Sequence, residues 1–206
     1  MGRSRTRRVR GGDGAGTASL RRKRGFVRPT PLRVAAVLVA AILVALCFVV
    51  LEPVSDAIVG ALGCLVLVAV SVTDLETRRV PNRIVLPSLA VALVVRTTLD
   101  PSVEWILGVL ITGGLLFVLA VIHPAGMGMG DVKLGGFLGA WLGWNGLLAL
   151  VLGSFAAFLP AVAIIVVRGK AGRKVALPFA PFLALGGVVA LLAGPDIVDW
   201  YRSLGT

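Results

Sequence analysis

Reactive side chains are scarce in this chain: 206 residues include two cysteines, one histidine and one tyrosine. Cys47 and Cys64 lie inside apolar runs and form no CxxC, which excludes a zinc site or a disulfide framework and leaves each as a small apolar residue. The lone His123 is read as an interfacial residue without catalytic duty. Charge is also sparse, at 15% of residues against 57% hydrophobic. That profile leaves no stretch for a soluble domain of any size and puts the side chains among lipid and neighbouring helices. No repeat of fixed period occurs. No small-x-small site follows the first apolar run, so that run is expected to stay as a helix.

The net charge of +11 is not spread evenly. Eleven basic residues stand between Arg3 and Arg33 against the single acid Asp13, a local excess of ten, while the rest of the chain holds ten basic and nine acidic residues. A basic stretch just before an apolar segment holds that end in the cytoplasm and touches anionic lipid. Without a folded basic face or aromatic platform it does not point to nucleic acid as a partner. Residues 1–31, rich in Gly, Ser, Thr and Arg, read as a disordered cytoplasmic tail.

Hydropathy predicts an all-α membrane protein, a polytopic bundle of about seven transmembrane helices over roughly 32–51, 54–73, 83–99, 104–122, 131–144, 147–167 and 177–193. With the tail inside, Arg78, Arg79 and Arg83 fall inside, as do Arg168, Lys170, Arg173 and Lys174. Acidic connections fall outside, and residues 194–206 form a short extracytoplasmic tail. Segment 131–144 is short, yet it must cross, or the 168–174 cations would face outward against the positive-inside rule. Its Gly135, Gly139 and Gly143 predict a smooth face and a central place, with Trp141 and Trp144 at an interfacial end. Arg96 is read as reaching toward the outer interface.

Ionisable groups at membrane depth are costly, so Asp74 and Asp131 stand out. Asp74 ends the second span in DLETRRVPN (74–82), and Asp131 opens the fifth in AGMGMGDVKL (125–134). The charge pattern brings both to one membrane level, where two carboxylates can share acid and base work. The other reading of them is as two independent interfacial aspartates. Gly126, Gly128 and Gly130 alternate before Asp131. They fit neither GxGxxG nor a phosphate-cradling loop, and suit a loop that lets an extended peptide approach.

Asp-Leu followed four residues later by Val-Pro-Asn, and then by Gly-x-Gly-Asp-x-Lys, resembles the type IV prepilin peptidases, the GxGD aspartic proteases of membranes. The matching positions are Asp74, Pro81 and Asn82, then Gly128, Gly130, Asp131 and Lys133. Leu177–Ala184 (LPFAPFLA) resembles a segment near the family's C-terminal end. The resemblance covers about residues 54–193 as a six-helix domain, and leaves 32–51 as an extra N-terminal helix. It implies removal of the basic leader of a prepilin or pseudopilin at the cytoplasmic face of the plasma membrane, with Asp74 and Asp131 catalytic, no metal and no cofactor. The chain lacks the CxxC-bearing loop of the family's long form, so it resembles the short form, from which N-methylation is not expected.

Helix dipoles make Asp131, at a helix start, the resting base and Asp74, at a helix end, the resting acid. Lys133 is expected to reach the headgroups. Glu76, read in the basic loop after Asp74, is a solvated charge or an attractor of a leader cation. The rival readings are a small proton- or cation-coupled transporter, a catalytically silent assembly factor of pili or secretion, and a GxGD protease of general membrane-protein turnover.

Overall fold

The computed structural model describes residues 30–124, 127–169 and 177–203. The basic tail before Thr30, Gly126 of the glycine run, and Lys170, Arg173 and Lys174 lie outside the described residues. The described residues form seven helical rods: α1 Pro31–Val50, α2 Val54–Thr77, α3 Asn82–Leu99, α4 Glu104–Ile122, α5 Met129–Leu142, α6 Asn145–Arg168 and α7 Ala180–Ser203. The first four and α6 are long and apolar enough to cross a bilayer, and α7 has an apolar part over Ala180–Gly194. This is an all-α polytopic membrane protein. The last rod differs from the hydropathy reading, because helix continues past 193 to Ser203. Polarity of Asp196 and Asp199 ends an apolar segment without ending a backbone ladder.

The shortest rod is the most enclosed. Leu134 through Leu142 of α5 are buried without interruption, and α5 packs against α3, α4, α6 and α7. It also meets α2, where Trp141 donates its indole N–H to the Val59 carbonyl at 3.0 Å. Trp141 is therefore a core residue and not an interfacial one; burial is possible because its single polar atom finds a carbonyl. Trp144 is half exposed.

Glycine permits this enclosure. A Cβ on Gly139 would overlap the Gly108 carbonyl of α4, so the two backbones touch only because both residues lack side chains. One turn of α4, Val109–Gly113, is π-helical, and within it the Thr112 hydroxyl lies 2.7 Å from the Gly108 carbonyl and 2.6 Å from that of Gly135. An α4 carbonyl and one of α5 thus share a donor at their contact.

Two polar features depart from the residue-by-residue reading. Arg96 does not reach out to the interface. Its side chain is 12% exposed, paired with Asp56 of α2, donating to the Trp141 carbonyl at 3.0 Å and lying 5.1 Å from the Trp105 ring centre. Partners on three other helices hold the guanidinium inside. Cys47 of α1 and Cys64 of α2, both fully buried, bring their sulfurs to 3.9 Å.

Candidate active site

At one end of the bundle Asp74, Arg78, Arg79, Val80 and Asn82 face Gly128, Met129, Gly130, Asp131 and Lys133 across a cleft of about 310 Å³. The two sequence motifs, some fifty residues apart, thus form its opposing walls. The first wall follows from how α2 ends. Arg78 takes the left-handed conformation (φ 51°), and its N–H donates to the Asp74 carbonyl at 2.7 Å, closing the helix one residue after Thr77. The chain then turns through Val80 to Pro81, whose carbonyl accepts from Ile84 and Val85 and starts α3. Pro81 is thus a helix-starting residue rather than a cleft-lining one.

The second wall is the first turn of α5. Gly128 is the N-cap, and its N–H donates to Asp131 Oδ2 at 3.3 Å while its carbonyl accepts from the Asp131 N–H at 3.1 Å. A glycine N-cap has no side chain for this exchange, so the main chain supplies both atoms on its side. Gly130 lies inside the helix, where a Cβ would come within 2.6 Å of Val80 Cβ. Its smallness lets the two motifs touch. Gly128 thus serves as a cap and Gly130 as a packing surface, and both line the cleft.

Asp74 is 5% exposed and Asp131 is partly buried, and both line the cleft. The aspartates come from α2 and α5, as the charge pattern expects. The dipole argument that set them apart does not survive, because Asp74 Oδ2 accepts from the Ala180 N–H of α7 at 3.2 Å. Each carboxylate therefore faces a helix start.

Lys133 has a partner within the protein. Its ammonium donates to Asn82 Oδ1 at 2.9 Å, across the cleft. A lysine two positions past Asp131 on a helix points away from that aspartate, but the wall formed by α3 lies on that other side. Glu76 is helical, within α2, and outside the cleft. It forms a two-pronged pair with Arg33 of α1, both contacts 2.9 Å. Arg78, Arg79 and the Ala180 amide border the aspartates without having been singled out. The arginines were visible as a charge cluster, whereas the amide left no mark in composition or motif.

These features define a polytopic α-helical membrane protein with two carboxylates from separate helices in one cleft at the end of the bundle. Residues 61–166 match the model of the type IV leader peptidase family. The chain belongs to that family. It is 34% identical over 146 residues to the prepilin leader peptidase/N-methyltransferase of Aeromonas salmonicida, covering 67% of this chain and 50% of that protein. Similar relatives of the same description occur in Bacillus subtilis (36% over 143 residues, 66% of this chain and 55% of the relative) and Burkholderia pseudomallei (35% over 159 residues, 73% and 50%). The chain spans about half the length of these curated relatives. No solved structure gives a significant match.

Proposed function

We propose that this chain is a prepilin leader peptidase of the aspartic type, an endopeptidase that hydrolyses the bond after the basic leader of a prepilin or pseudopilin. The observation that carries the reading is the facing of Asp74 and Asp131 across one cleft, within a chain of the leader peptidase family. The proposal assigns the peptidase unit to residues 54–193, with α1 and the basic tail as additions. It sets the cleft and the N-terminus on the cytoplasmic side of the plasma membrane, because the basic clusters share that side. The partners are the prepilin and the bilayer. The methyltransferase part of the relatives' description is not carried over, since the chain has no CxxC.

Two carboxyls this close do not both ionise cheaply, so one keeps a proton. The ionised carboxylate takes a proton from water as the oxygen bonds to the scissile carbonyl carbon. The protonated partner gives its proton to the carbonyl oxygen, forming a neutral tetrahedral diol. Collapse of the diol breaks the C–N bond, with a carboxyl proton passing to the leaving amine. Lys133 and Asn82 hold the cleft wall across which the peptide lies. Asn82, Pro81, Gly128 and Gly130 act by setting the two walls at their spacing.

Co-expression of candidate prepilins with the wild type, Asp74→Asn or Asp131→Asn, followed by gel shift, tests the reading. Leader removal by the wild type and by neither variant is the expected result. Normal processing by both variants would end it.

A further inference from the structure

The start of α7 leaves a single main-chain donor unclaimed within the helix, and that donor meets Asp74. The first N–H groups of a helix have no carbonyl four residues back. In α7 they are accounted for one by one. Pro181 has no N–H, and Phe182 and Leu183 both donate to the Phe179 carbonyl at 3.1 Å. Ala180 is left, and its N–H donates to Asp74 Oδ2 at 3.2 Å across 106 residues of sequence. Neither partner is open to solvent, with Ala180 0% and Asp74 5% exposed.

The donor is held firmly. A Cβ on Gly153 of α6 would come within 2.8 Å of the Phe182 carbonyl, and one on Gly186 of α7 would overlap the Ala149 carbonyl. Backbone contact between α6 and α7 thus fixes where α7 begins. Asp131 has the matching arrangement, one carboxyl oxygen tied to the Gly128 N–H at its own helix start.

From this geometry we infer that the first turn of α7 is a positioning element of the active site. Resting on the catalytic reading of Asp74, the inference is that Ala180 N–H fixes the plane of the Asp74 carboxyl, committing Oδ2 to the main chain and leaving Oδ1 for water and Asp131. The active site then extends past residue 166, where the match to the family model stops. Pro178 and Pro181 serve it by withholding competing N–H groups on either side of Phe179 and Ala180.

The test replaces the amide at position 180 by an ester, using lactic acid in place of alanine. This exchanges N–H for oxygen and leaves the side chain intact. The same exchange at Ala184, which removes an ordinary helix bond further along α7, is the control for a merely structural effect. Full-length protein in lipid vesicles is given a fluorescently labelled prepilin, and kcat and KM for leader removal are measured. Loss of one hydrogen bond to a carboxylate predicts a roughly ten- to hundredfold lower kcat for the 180 ester. KM stays near wild type, and the 184 ester keeps its kcat. Equal kcat values for the two esters would overturn the inference while Asp74→Asn remains inactive. An Asp74→Asn variant that cuts normally would instead remove the catalytic reading, and the inference with it.

Discussion

Lys133 of α5 donates its ammonium proton to the side-chain oxygen of Asn82, the first residue of α3, at 2.9 Å. This bond joins the two motif segments directly beside the carboxylates, so an exposed-looking lysine is in fact part of the cleft wall.

Removing either end of that bond should lower leader removal by the same amount. Lys133→Met and Asn82→Ala are each expected to reduce cleavage roughly tenfold, and the double variant no further, as coupled partners do. A double-mutant cycle on cleavage rate checks this; multiplicative losses would show that the two act separately.

Gly130 and Val80 should behave as a lock of matched sizes. Gly130→Ala places a methyl group within 2.6 Å of Val80 Cβ, inside any tolerable contact. Overpacking of this kind costs about 1–3 kcal/mol and spreads the two walls. Thermal unfolding and cleavage should both fall in Gly130→Ala, and adding Val80→Ala should recover most of each.

Glu76 gives a prediction of the opposite kind. Its carboxylate is engaged by Arg33 and lies outside the cleft, so Glu76→Gln should leave KM for a basic-leader substrate unchanged. A raised KM, relieved by high salt, would mean that the carboxylate attracts the leader after all.

Arg96 should matter for stability and not for chemistry. Arg96→Met strips the partner from Asp56 and the donor from the Trp141 carbonyl, and is expected to cost about 2 kcal/mol, since Asp56 keeps some access to water. Arg96→Lys should not restore the loss, because an ammonium cannot bond both partners while lying against Trp105. Thermal unfolding in detergent measures both variants.

The helices were readable because lipid leaves few alternatives: a long apolar run must satisfy its own backbone. The meeting of Asp74 and Asp131 was readable from charge, since basic loops fix which helix ends share a membrane side. The partners of each polar side chain were not readable. Lys133 was assigned by its spacing from Asp131 alone, yet its bond goes to Asn82, 51 residues away. Arg96 was treated as one residue on one helix, although Asp56, Trp105 and Trp141 surround it. The Ala180 amide is the extreme case, because every residue carries an N–H and only packing decides which one meets a carboxylate.

The brevity of α5 has a consequence for the lipid. Fourteen helical residues rise about 21 Å, against a hydrocarbon thickness of roughly 30 Å, while its neighbours α2 and α6 have 24 residues each. A helix this short spans a bilayer only where the hydrocarbon layer is locally thinner, and Asp131 stands in its first turn. On the proposed reading, that thinning would bring water to the Asp131 end of the bundle without drawing the peptide clear of the membrane.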